Sequence, residues 1–218
     1  FIKMPFIYLN MLENLYLYKE KDKLLRTYVE QVVVNVSDVC FFKCNMCGIW
    51  KNKKTNNNLK LETYKKFIDE LSKYKGPKTL ISFTGGEPLS EKNIYEIISK
   101  CNQHKLNTTL NSNGWLINEE NIIKLFDAGL TTLVFSLDGS CPAVHDKIRG
   151  MQGSFDRIIK GAQNIKSYTK AKGKEMGVVI NCVISNHNIH DILNLVELVD
   201  KSDFIDKIWL QAVSAPLQ

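Results

Sequence analysis

Apolar extended runs alternate with amphipathic helical runs along most of this chain, and that alternation constrains its fold more than any other feature. The extended runs fall at residues 32–36, 79–84, 107–110, 133–137, 178–184 and 207–213. Between them, Tyr64, Phe67, Ile68 and Leu71 recur at i, i+3, i+4 and i+7, as do Ile94, Ile97, Ile98 and Cys101. Phe155, Ile158, Ile159 and Ala162 repeat the spacing, and so do Ile192, Leu195, Val196 and Val199, the signature of a helix with one buried stripe. A weaker helix carries Ile122, Ile123 and Phe126 and closes at Ala128-Gly129. Six strands separated by five helices predict right-handed βαβ crossovers and a parallel sheet. Six units fall short of the eight in a closed barrel, so the expected architecture is α/β, an open, partial (β/α)6 TIM-like barrel. A doubly wound sheet stays open as the alternative, because periodicity does not reveal strand order.

Residues 1–30 lie outside this repeat. Leu9, Leu12 and Tyr16 predict a helical extension there, followed by a charged stretch over 19–26; residues 31–218 then form the core domain. Residues 51–58 are a polar, low-complexity loop. The chain starts at Phe1 rather than Met and stops at Ala215-Pro216-Leu217-Gln218, soon after the sixth strand. It is therefore expected to be trimmed, with a sixth helix and any further domain lying beyond it. The 218 residues, 44% apolar, suffice for one large core. A net charge of +6 describes a Lys-rich solvated surface, and it suits an acidic partner such as an electron-carrier protein. No basic stripe is interleaved with aromatics, so no nucleic-acid partner is indicated. No run approaches the roughly 20 apolar residues of a membrane span. No basic-then-apolar leader is visible at the start, and a cytoplasmic setting is expected.

The six cysteines do not form a disulfide framework, since Cys40, Cys44 and Cys47 are bunched and Cys101, Cys141 and Cys182 are scattered. The bunched three follow the first extended run at C-x3-C-x2-C spacing. A loop that short can wrap one face of an iron–sulfur cube, each sulfur reaching a different iron. The fourth iron is then left without a protein ligand, and an open metal position is what a catalytic site keeps. The competing reading is zinc, which asks for a second Cys or His pair. His104, His145, His187 and His190 are dispersed, and only the last two are three apart. Cys101 and Cys182 sit at apolar positions and read as small hydrophobes, while Cys141 reads as a packing or loop residue near the active face. Thr84-Gly85-Gly86-Glu87-Pro88 ends the second strand. Its paired glycines permit positive φ and close approach of a ligand to the backbone; Glu87 supplies a carboxylate able to hold an ammonium, and Pro88 stiffens the exit. Taken alone this segment is a turn, as are Asn113-Gly114 and Asp138-Gly139.

Taken in order, these motifs resemble the radical S-adenosylmethionine enzymes. The resemblance rests on Cys40-x3-Cys44-x2-Cys47 after strand one and Gly85-Gly86-Glu87-Pro88 after strand two. It continues with Ser112-Asn113-Gly114 after strand three and Ser136-Leu137-Asp138-Gly139 at strand four. The stretch from His145 to Gly150, then Gly153-Ser154-Phe155, is similar to the branch that carries a SPASM or twitch extension. The match covers about residues 30–213.

The resemblance implies a [4Fe–4S] cluster on Cys40, Cys44 and Cys47, with S-adenosylmethionine chelating the fourth iron. Reductive cleavage of that cofactor would give a 5′-deoxyadenosyl radical that abstracts a substrate hydrogen. Residue roles follow from matching positions. Gly85, Gly86, Glu87 and Pro88 would bind the methionine amino group, and Ser136 and Arg149 its carboxylate or the ribose. Ser112 and Asp138 join the same set. The backbone around Met46 would touch adenine, although this position is commonly aromatic in the family. Asn181 and Gln211 are candidate ribose or adenine contacts. The implied outcome is modification of a peptide or protein. Small-molecule or cofactor synthesis, in the manner of a molybdopterin-precursor synthase, is the alternative within the family. A non-catalytic metal or iron–sulfur module is the alternative outside it.

Overall fold

The computed structural model describes residues 28–51 and 59–212. The expected helix around Leu9, Leu12 and Tyr16, the charged stretch 19–26, most of the polar loop and the residues from Val213 onward lie outside them. Six parallel strands form one sheet: β1 (Val29–Ser37), β2 (Lys75–Gly85), β3 (Asn107–Ser112), β4 (Thr132–Ser136), β5 (Gly177–Ile184) and β6 (Lys207–Ala212). Their spatial order is β1-β2-β3-β4-β5-β6. A doubly wound sheet reverses direction part-way. This one never does, so the open barrel is the architecture and the alternative is excluded.

The helices are α1 (Leu61–Leu71), α2 (Ile94–Gln103), α3 (Glu119–Ala128), α4 (Pro142–Arg149), α5 (Ser154–Lys172) and α6 (Ile192–Asp200). The stripes of all but α4 pack on a single apolar core with one face of the sheet, including Ile81, Phe83, Leu110, Leu133, Phe135, Val178 and Ile180. Ile94, Ile97 and Ile98 of α2 are fully buried, each worth about 1.5–3 kcal/mol. The opposite, inner face is more polar. Register aligns Ser82 with Thr109 and Ser136 with Asn181. Across it Thr109 Oγ1 donates to Ser82 Oγ at 2.9 Å and Asn111 Nδ2 donates to the same oxygen at 3.2 Å.

Three details differ from expectation. β1 begins at Val29, inside the segment assigned to the extension. β2 begins at Lys75 rather than Thr79, because Lys75-Gly76-Pro77-Lys78 carries no apolar alternation and joins the sheet through an irregular register. Six helices rather than five are present among the described residues. The additional α4 starts with Pro142 at its first turn and ends on Gly150 at φ +64°, features that suit those positions. It buries His145 and Asp146 beside Ile148, so an apolar periodicity search passes over it.

Candidate active site

The cysteine loop joins β1 to a short 3-10 turn at Ile49–Lys51 and is fastened from two sides. On one side, the Gly86 N–H donates to the Ser37 carbonyl at 2.6 Å and the Glu87 N–H to the Val39 carbonyl at 2.8 Å. On the other, the Asn45 N–H donates to the Ile148 carbonyl at the end of α4, at 2.9 Å. The glycines at the end of β2 are required by this packing. A Cβ on Gly86 would stand 2.2 Å from the Val39 oxygen, and one on Gly85, at φ +125°, 2.3 Å from the Ser37 oxygen. What approaches these glycines closely is the backbone of the cysteine loop. Phe42 anchors the loop: it is 1% exposed and meets Trp115 edge-on at 5.9 Å.

Cys44 is buried, and Cys40 and Cys47 are half-buried. Burial pushes the Cys40 and Cys44 thiols up; Arg149 draws Cys44 partly back, and the thiols lie within electrostatic reach of one another. Among the described residues no three His, Cys, Asp or Glu side chains gather about a point that one metal ion could fill. Three sulfurs on one short loop, each reaching a separate iron, are the donor set a cube takes.

Two buried carboxylates organise the surroundings. Glu87 is wholly buried. Its Oε1 accepts from the Leu89 N–H at 3.1 Å and Ser112 Oγ at 2.9 Å, and its Oε2 from the Asn113 N–H at 2.8 Å. Burial raises its pKa to about 7, against the pull of those hydrogen bonds. The carboxylate is therefore occupied by the fold. Asp138, also wholly buried, accepts the Val183 N–H on Oδ1 at 2.8 Å. Its Oδ2 lies 2.6 Å from Arg149 Nε; the pair is out of line for a hydrogen bond, so the attraction is ionic. His145 Nδ1 accepts the Asp138 N–H at 3.1 Å, which places the ring proton on Nε2.

The remaining expected residues are spread around this rim. Pro88 is buried at the start of the 3-10 turn Pro88–Ser90. Met46 is half-buried in the turn between Cys44 and Cys47. Ser112 donates to Glu87 and accepts the Gly114 N–H at 3.0 Å. Ser136 and Asn181 are register neighbours on the inner face, where Asn181 Oδ1 is buried without a hydrogen-bond partner. Gln211 stands apart on the outermost strand, paired in register with Val183. Cys101 and Cys182 are fully buried with thiols pushed up to about 12 by desolvation, in keeping with small hydrophobes. Cys141 precedes Pro142 at the start of α4.

Several contributors were given no role of their own by the sequence, Asn113 and Asp146 standing there only as members of motifs. Asn113 Nδ2 points at Cys40 Sγ from 3.9 Å. Asn188, fully buried, donates to the Asp138 carbonyl at 3.0 Å. Asp191 accepts both the N–H and the hydroxyl of Ser140. Asp146 accepts the Gly153 and Phe155 N–H groups and the Ser154 hydroxyl, tying the start of α5 to α4 and joining the two stretches into one structural unit. Asn188 and Asp191 carry no spacing signal at all.

The comparisons with known proteins decide the family. The Radical SAM superfamily model matches residues 34–199. This chain belongs to the radical SAM superfamily. That is a family of enzymes, and its cofactors, a [4Fe–4S] cluster and S-adenosylmethionine, are those of this radical SAM chain. Fe-coproporphyrin III synthase of Methanosarcina barkeri is 32% identical over 78% of this chain and 41% of its own length. PqqA peptide cyclase of Rhodopseudomonas palustris is 23% identical over 77% of this chain and 42% of its own. The SuiB structure from Streptococcus suis bound to S-adenosylmethionine superposes with a TM-score of 0.72 at 22% identity, covering 96% of this chain and 46% of that one. The radical SAM chain thus spans less than half the length of these relatives. Its residues fit both cofactors: three loop thiols suit the cluster, and the orphaned Asn181 Oδ1 beside Ser136 is a polar atom awaiting a partner.

Proposed function

We propose that this chain carries the radical-generating core of an enzyme that modifies a peptide or protein. Cys40, Cys44 and Cys47 hold the cluster, while Ser136 and Asn181 face S-adenosylmethionine from the inner sheet surface, with Met46 and Gly85–Pro88 along the rim. When bound, the two cofactors together supply a 5′-deoxyadenosyl radical able to abstract a hydrogen atom from substrate. The chain's own work is positioning, exclusion of water and protection of the cluster. One observation carries the reading: the three-thiol loop is clamped between the end of β2 and the end of α4, at the carboxyl ends where barrels build their sites.

Neutral hydrogen-bonding groups such as Ser82, Thr109 and Asn111 on the inner face suit the amides of a peptide, and peptide cyclases are among the relatives. Synthesis of a small molecule is the second reading, favoured by the higher identity to a coproporphyrin-related synthase. A SPASM extension and an electron-donor protein such as flavodoxin or ferredoxin complete the proposal. The test is anaerobic reconstitution with iron and sulfide, then dithionite and S-adenosylmethionine. A [4Fe–4S] spectrum that changes on adding the cofactor, with release of 5′-deoxyadenosine, is expected. Deuterium transfer into deoxyadenosine from a labelled peptide, against a labelled porphyrin, separates the two substrate readings. A mononuclear metal, or a cluster indifferent to the cofactor, overturns the proposal.

A further inference from the structure

Two of the three cluster thiols each face a polar donor, and each donor is held by one of the buried carboxylates. Asn113 is fixed three ways: its N–H is bound by Glu87 Oε2, its Oδ1 accepts the Trp115 N–H at 2.9 Å, and its remaining amide hydrogens point to Cys40 Sγ at 3.9 Å. Arg149 is held at Nε by Asp138, 2.6 Å away, and stands near enough to Cys44 for each to shift the other's ionisation. Asp138 is in turn fastened by Val183, His145 and Asn188. Neither donor sits there by chance of a mobile surface: Asn113 is 8% exposed and the Arg149 side chain 12%.

We infer that Asn113 and Arg149 are positioning residues that donate to the sulfurs of Cys40 and Cys44 and raise the reduction potential of the cluster. Resting on the cluster reading above, the inference assigns Glu87 and Asp138 to holding those donors. The physical reason is general. Reduction adds an electron to the cluster, and much of its charge resides on sulfur, so donors and positive charge at sulfur stabilise the reduced state. A planar guanidinium serves better than a flexible ammonium because its donors keep a fixed direction.

The test is a redox titration of the reconstituted full chain, followed by electron paramagnetic resonance. Asn113→Leu removes the donor to Cys40 while keeping the backbone N–H that Glu87 binds. The pair Arg149→Met with Asp138→Asn removes donor and counter-ion together, leaving no buried charge unmatched. Each is expected to make reduction about tenfold less favourable, about 59 mV for one electron; Arg149→Lys with Asp138 intact restores most of the shift. The unmodified protein supplies an independent readout, since iron–sulfur stretching bands in its Raman spectrum move on transfer to D2O if the sulfurs accept hydrogen bonds. Should a variant fail to take up iron, that solvent shift decides alone. Unchanged midpoints in both variants, or no shift in D2O, overturn the inference. A chain that forms no [4Fe–4S] cluster instead overturns the functional reading beneath it.

Discussion

Two carboxylates close strand ends on either side of β3 in this barrel, Glu87 after β2 and Asp138 after β4, and the chain accommodates their burial in opposite ways. Glu87 is surrounded by neutral donors alone: two backbone N–H groups and one hydroxyl. Asp138 has a cation, Arg149, 2.6 Å away. Desolvation penalises a charge in either place. With neutral partners, the group yields by holding its proton, and Glu87 is raised to about 7. With a carboxylate for partner, the cation is held instead: burial alone would lower Arg149, but Asp138 and then Cys44 keep it above its usual value. Similar placement, then, gives one corner governed by proton supply and another governed by the integrity of a pair.

The sharpest way to break this contrast is Asp138→Ala. It strands the Arg149 guanidinium in the interior, and a loss of about 3–5 kcal/mol is expected from urea unfolding. A loss near zero would mean the guanidinium escapes to water and the corner is not an ion-pair site. Glu87→Gln tests the other corner and should cost about 1–3 kcal/mol, since one of its three donors meets an amide rather than an oxygen.

The same variant sharpens the comparison through pH. In the folded chain Glu87 keeps a proton that the unfolded chain, at its ordinary value of 4.5, has released. Its contribution is therefore full below about 4.5 and declines as pH rises toward 7, by at most about 1.4 kcal/mol per unit; Glu87→Gln should flatten that limb. At the Asp138 corner the slope has the opposite sign. His145 is lowered from 6.5 to about 3, first by burial and then by Arg149. The unfolded ring takes up a proton below 6.5 that the folded ring refuses, so stability drops as pH falls from 6.5 toward 3. His145→Gln, which can still accept the Asp138 N–H, should remove this acid limb; parallel slopes in variant and parent would refute the assignment.

The strands and the cysteine loop were legible in the sequence because their signals are local. Apolar runs of period two and three thiols within eight residues need no distant partner to be recognised. The strand order was not legible, and only the uninterrupted pairing from β1 to β6 separates a barrel from a wound sheet. The Glu87 carboxylate is visible in the sequence, but two of the groups that hold it in the fold, Ser112 and Asn113, arrive 25 and 26 positions later. Arg149 reads from the sequence as a ligand for the carboxylate or ribose of the cofactor, and what spacing does not reveal is that its Nε also faces Asp138 in the fold. Helix α4 stayed invisible for a related reason. It turns His145 and Asp146 inward to serve the rim and the start of α5, and such polar burial erases the stripe by which helices are found.

The absence of side chains at Gly85 and Gly86 has a consequence for how the cluster is loaded. Because Ser37 and Val39 seat directly on that turn, the ligand loop keeps its footing through main-chain contacts that owe nothing to iron. Damage to the cubane would empty the socket without dismantling it, and repair becomes a matter of refilling rather than of refolding.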